Sequence, residues 1–124
     1  MKTERIMAIF FIAALFGCQI FKNWEVPEEL LGVWETSSPR YEYCSLEFDG
    51  KMVIFQNGLT HFDINHITNV KKSTEDEKTL YNIYYKDNQG EEYKLSLYYL
   101  ETPDRCVIRF KNQEEIAWRK RGGQ

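Results

Sequence analysis

Two histidines, three cysteines and three prolines in 124 residues leave little material for several kinds of chemistry. No Cys-x-x-Cys pair and no histidine cluster is present, so a zinc-type centre has no ligand set. Glycine never gathers into a phosphate-cradling loop, and no serine or cysteine sits in a nucleophile motif. Positive charge is in short supply: 16 Lys and Arg face 19 Asp and Glu, for a net charge of −3. The one cationic cluster, Arg119-Lys120-Arg121, lies near the tail. Nucleic-acid binders instead concentrate basic residues on one face. No uncharged stretch reaches the roughly 20 residues that a helix needs to cross a bilayer. Helical periodicity is missing throughout Val33–Arg119. These absences argue against an enzyme, a metal protein and a nucleic-acid binder, and they imply no cofactor. His61 and Asp63 can point together on a strand, where a surface hydrogen bond accounts for them. Glu75-Asp76-Glu77 falls in a charged stretch that reads as a solvated loop.

What is present begins with an address. Met1–Arg5 forms a short head with two cations, and Ile6–Gly17 is uncharged and almost wholly apolar. A basic head, an apolar run of about 7–15 residues and a small residue before a boundary describe an export signal. Leu15-Phe16-Gly17-Cys18 resembles the lipobox of bacterial lipoproteins. That resemblance implies removal of residues 1–17 and acylation of Cys18 by palmitate-type chains, each buried CH₂ contributing about 0.8 kcal/mol to membrane affinity. An uncleaved signal anchor is the alternative. By the same resemblance, Gln19 after the cysteine implies sorting to the outer membrane. The expected layout is a signal over 1–17, a tether over 18–26, one domain over 27–121 and a flexible tail over 122–124.

Within the domain, short alternating runs are separated by turn signals. In "YEYCSLEF", Cys44, Leu46 and Phe48 share one face, the period of two that a half-buried strand gives. Asp49-Gly50 and Asn57-Gly58 flank "KMVIFQ", which is apolar on both faces. Dipeptides of this kind are strong hairpin signals. The alternation in "LTHFDIN" predicts Phe62 and Ile64 inward, with a bulge near His66 where the phase breaks. "TLYNIYYK" and "EYKLSLYY" flank Asp87–Gly90, and "RCVIRF" and "EEIAWRK" complete about eight strands. The expectation is an all-β fold: a small up-and-down antiparallel barrel, with an open β-sandwich as the alternative.

Gly32-Val33-Trp34, opening the first strand, resembles the Gly-x-Trp signature of lipocalin-like barrels. The resemblance implies that Trp34 closes one barrel end and that Arg119, on the last strand, packs over it. "YEYC" is similar to the early cysteine strand of the periplasmic lysozyme inhibitors, small lipoprotein barrels with a disulfide, which adds a third reading for the function. Beyond Cys18, two thiols remain. Cys44 and Cys106 either form a bridge, as an even number of exported cysteines suggests, or stay as two separate buried thiols.

The inward set includes Trp34, Phe48, Phe55, Phe62, Tyr81, Tyr85, Tyr93, Phe110 and Trp118, with Leu, Ile and Val between them. Eight strands leave an interior that such side chains just fill. Tyr41, Tyr43, Tyr84 and Tyr98 fall on the opposite face, where tyrosine offers contact area at low entropic cost. The leading expectation is therefore a non-catalytic binding module at the envelope, held by its lipid and contacting an envelope protein. The alternative is a carrier of a small apolar ligand.

Overall fold

In a computed structural model, residues 25–122 are described, and they form a closed antiparallel barrel. The strands are β1 (Gly32–Glu35), β2 (Cys44–Asp49), β3 (Met52–Asn57), β4 (Phe62–Glu75), β5 (Lys78–Lys86), β6 (Glu92–Glu101), β7 (Cys106–Phe110) and β8 (Trp118–Lys120). Each pairs with its sequence neighbours, and β8 closes onto β1 through Trp34↔Lys120 and Glu35↔Arg119. The fold is thus all-β and up-and-down, and closure removes the sandwich alternative. Among the described residues no helix is long and apolar enough to cross a membrane.

The barrel is filled. Trp34, Val53, Tyr81, Ile83, Leu97 and Ile108 have no solvent exposure, and Leu46 and Phe48 are at 1%. Burying side chains of this size contributes about 1.5–3 kcal/mol each relative to leaving them in water. Phe55, Tyr85, Leu95 and Phe110 pack onto this cluster at its edge.

One end is closed by the chain itself. Val26 N–H donates to the Gly50 carbonyl at 2.9 Å, and a 3-10 turn over Glu28–Leu30 carries Leu30 into the core. Trp34 Nε1 donates to the Leu30 carbonyl at 2.9 Å. Lys120 Nζ lies 5.2 Å from the Trp34 ring centroid and donates to the Glu29 carbonyl at 3.0 Å. Gly32 completes this base. Its φ of +122° is a conformation L residues rarely adopt, and a Cβ there would meet Lys120 Cδ at 3.4 Å.

Here the expected role of Arg119 is corrected. Arg119 points outward and is exposed, and the cation over Trp34 is Lys120. Successive strand residues face opposite sides, so an offset of one position exchanges core for solvent.

Two more corrections concern β4. "KKSTEDEK" is not a loop: β4 runs to Glu75, and Asp76-Glu77 alone turn the chain into β5. Both turn residues have positive φ, 52° and 66°, as a type I′ hairpin requires. The extension reads as a loop because it overhangs the base and buries few apolar groups.

The second correction is one of phase. Ile54 pairs with Ile64 and Phe55 with Asp63, so Phe62 and Ile64 face outward, while Asp63 and Asn65 share the inner face with Phe55 and Val53. The cause lies downstream. Ile67 is buried and sets the period of two for residues before it, and a register shift between Ile67 and Asn69 then lets Val70 join the same inner face.

Candidate functional site

The two ends of the barrel differ in what they leave unsatisfied. At the base, a cleft of about 870 Å³ runs between the β4–β5 overhang, Glu29 and the start of β7. Most of the charged and phenolic groups at its centre are already paired with one another. Tyr81 donates to Glu29, Lys72 Nζ lies 4.0 Å from the same carboxylate, Lys78 Nζ meets Glu114 at 3.1 Å, and Tyr98 donates to Glu75 at 2.8 Å. The bond from Tyr81 holds the Glu29 carboxyl below its ordinary range, and burial raises the Tyr81 phenol. The Tyr98 phenol is pushed up to about 12, chiefly by its bond to Glu75. Groups whose partners are internal hold the fold rather than a ligand.

The opposite rim is open. A slot of about 620 Å³ lies between the first half of β4 and the β5–β6 hairpin. Phe55, Tyr85 and Tyr93 form its aromatic side: Phe55 and Tyr85 are 5.7 Å apart, tilted, and Tyr85 and Tyr93 stack at 5.5 Å. Asp63 and Asp87 supply negative charge. Asp87 Oδ1 accepts the N–H groups of Gln89 and Glu91, each at 2.9 Å, and Oδ2 accepts Tyr93 OH at 3.3 Å. The Glu91 N–H is the main cause that holds the Asp87 carboxyl below its usual value, so Asp87 is ionised at neutral pH. Its charge in turn raises the Tyr93 phenol, while burial raises that of Tyr85.

The slot is bounded by an unpaired strand edge. Asn57 N–H donates to the His61 carbonyl and Ile67 N–H to the Lys51 carbonyl. Hydrogen-bonded pairs alternate along an antiparallel ladder, so Asp63 and Asn65 also bond towards β3. Phe62 and Ile64 therefore aim their main-chain N–H and C=O groups the other way. Pairing with β5 starts only at His66↔Lys86, so these groups find no ladder partner among the described residues. Their side chains are exposed too, at 54% and 56%, beside Ile54.

The residues singled out from the sequence are scattered. Cys18 and the lipobox lie outside the described residues. Cys44 and Cys106 are both free. Cys44 opens β2 at the open rim and Cys106 opens β7 at the base, so the barrel's height separates two residues whose Cα atoms a bridge needs within about 7 Å. Of the two readings the structure has the separate thiols: Cys44 Sγ is 3.7 Å from Asn57 Oδ1, and Tyr99 OH lies 3.3 Å from Cys106 Sγ.

The four outer tyrosines do not make one surface. Tyr41 turns inward, 5.5 Å from Trp118, and its hydroxyl accepts Gln113 Nε2 at 2.6 Å. Tyr98 is buried on the outer face beneath Lys78, whose Nζ is 4.6 Å from its ring. Tyr84 is half-buried under Lys71, at 5.6 Å. Only Tyr43 among them stands free, at 60% exposure and a positive φ of 65°. His61 Nε2 lies 3.4 Å from Asp63 Oδ1, both exposed at the rim. Among the described residues no group of three metal-ligating side chains occurs.

Sequence reasoning missed the edge at Phe62–Asn65 and the role of Asp87. Counting backwards in steps of two from Ile67 gives the correct phase. Comparison with known proteins gives no match to a family model, a curated protein or a solved structure.

Proposed function

We propose that this chain is a non-catalytic binding module of the bacterial cell envelope, exported by residues 1–17 and held at the outer membrane through acyl chains on Cys18. Its partner is an envelope protein, gripped at the open rim. One observation carries this reading: the interior is full, whereas exposed apolar side chains, aromatic rings and unpaired main chain gather at the rim. The first described residue, Glu25, precedes the base closure, so the chain enters the barrel at the end opposite the rim. Exposed apolar groups near unsatisfied polar ones mark contact sites.

The carrier reading has less support. Trp34, Tyr81, Phe48, Leu46, Ile83 and Leu97 occupy the volume that an apolar ligand needs. A carrier gains about 2.7 kcal/mol of stability at ligand concentrations of 100 times Kd, so a panel of fatty acids should raise its melting temperature.

The test has two arms. Metabolic labelling with an alkyne palmitate analogue should tag the protein expressed with its leader and fail with Cys18→Ala. A photo-crosslinking residue placed in cells at Leu59 or Phe62 should give a discrete adduct that is absent from position Asp104 at the base. An untagged chain contradicts the anchor. Absence of rim adducts, or a melting shift with fatty acids, contradicts the binding mode.

A further inference from the structure

We infer that the free edge of β4 at Phe62–Asn65 receives an extended peptide segment of the partner as an added strand, with a lysine or arginine of that segment set into the slot against Asp63, Asp87 and the Tyr85–Tyr93 pair. This rests on the binding-module reading and names the chemistry of its partner.

The main chain defines the occupant's shape. Phe62 and Ile64 offer alternating N–H and C=O groups along an open edge, and only another extended backbone satisfies both kinds in register. Successive residues of an added strand face opposite sides of the sheet. One side lies beside Phe62, Ile64 and Ile54 and takes apolar residues. The other lies over the slot, where Phe55, Tyr85 and Tyr93 offer ring faces and Asp63 and Asp87 offer negative charge. A cationic head on an apolar stem fits both features, through charge pairing and contact with aromatic faces. The segment therefore alternates apolar and basic residues.

The edge carries little of the protection usual for exposed strands. Natural edges are blunted by lysine, proline, an inward-pointing charge or a covering element, and of these the edge has only the inward-facing Asp63. Residues 62–65 contain no lysine or proline, and the β-bulge comes only after Ile67, where β5 already covers the strand. A second unpaired edge runs along β4 beyond Ile67, on the side away from β5, but it carries Lys71 and Lys72, the usual protection of an exposed strand.

The probe is a capped seven-residue peptide alternating valine and lysine, titrated into the mature-length protein and followed by NMR of the backbone amides. Three controls accompany it: the valine–glutamate counterpart, the same valine–lysine peptide N-methylated at alternate amides on its pairing edge, and lysine amide alone. The expected result is saturable binding with shifts centred on Phe62–His66 and Asp87–Tyr93. N-methylation removes main-chain donors while leaving side chains intact, and should weaken binding about tenfold or more. Asp63→Asn should weaken it about threefold to tenfold, with a shallower dependence on salt. Phe62→Pro, at the first residue of the strand, removes a free donor at a position where proline is tolerated. It should weaken binding comparably while the far-UV spectrum stays unchanged.

Lysine amide binding as well as the peptide, with no penalty for N-methylation, would show a small-cation site and overturn the strand-addition inference. A dimer that Phe62→Pro abolishes would assign the edge to a second copy and also overturn it. So would no shift up to about 1 mM peptide. If rim crosslinks persist in cells in that last case, the binding module stands and only its proposed mode of grip fails.

Discussion

Replacing Lys120 and Arg119 separately by alanine tests how the base is locked. Lys120 makes two contacts: its ammonium sits 5.2 Å from the Trp34 centroid, and it donates to the Glu29 carbonyl at 3.0 Å. A partly exposed cation–π contact contributes about 0.5–1 kcal/mol, and a charged hydrogen bond at a half-buried site adds about 1 kcal/mol after solvent screening. Loss of the apolar stem over Gly32 adds a further few tenths. Lys120→Ala should therefore cost about 1.8–2.3 kcal/mol, whereas outward-facing Arg119 falls in the class of surface changes worth within about 0.5 kcal/mol. For a domain near 100 residues, 1 kcal/mol moves Tm by about 4–8 °C. The expected outcome is a fall of roughly 7–18 °C for Lys120→Ala and at most about 4 °C for Arg119→Ala, read by circular dichroism melts and checked by urea titration. Lys120→Met, which keeps the stem without the charge, should fall between them. A larger loss for Arg119→Ala would refute the face assignment of β8.

The remaining outcomes concern the same base, the thiols and pH. Gly32→Ala should destabilise by about 1 kcal/mol or more, because a Cβ meets both an unfavourable φ and the Lys120 stem; a neutral result in urea would remove the strain argument. Under denaturing, non-reducing conditions iodoacetamide should alkylate both Cys44 and Cys106, whereas a protected pair would indicate a bridge. Glu29 has a folded pKa below its ordinary 4.5, so the stability it contributes is present above that value and lost as pH falls through the lower folded one. Tyr81 has a folded pKa above its ordinary 10, so its contribution is present below pH 10 and lost as pH rises through the higher one. Stability measured against pH should thus fall at both ends, and Glu29→Gln should flatten the acid limb and shrink the alkaline one. Unchanged limbs would mean that the Glu29–Tyr81 bond is not formed in solution.

The strands were legible because alternation and turn dipeptides repeat wherever one face is buried: Cys44-Leu46-Phe48 and Tyr81-Ile83 read directly as core-facing runs. Gly32-Val33-Trp34 was legible as a barrel-closing element through its resemblance to the Gly-x-Trp signature, and the structure supplies the reason: Trp34 fills the base and Gly32 holds a φ of +122°. Three features were hidden, each for a physical reason. The side a strand presents is fixed by its most buried residue, so the exposed first half of β4 read in the wrong phase until Ile67 set it. The β4–β5 overhang is solvated on most of its surface and carries no apolar period. The fate of Cys44 and Cys106 depends on which rim each strand starts from, and spacing along the chain does not contain that information. The rim slot was hidden for the same reason. Phe55, Asp63, Tyr85, Asp87 and Tyr93 come from four strands and a hairpin turn, and only closure of the barrel brings them together.

Amide hydrogen exchange along β4 tests most directly whether a filled barrel leaves the edge at Phe62–Asn65 open. Phe62 and Ile64 should exchange rapidly while Asp63 and Asn65, bonded to β3, are protected, and the valine–lysine peptide should slow the first pair. Equal protection at all four positions in the free protein would contradict the open edge and, with it, the place assigned to the partner.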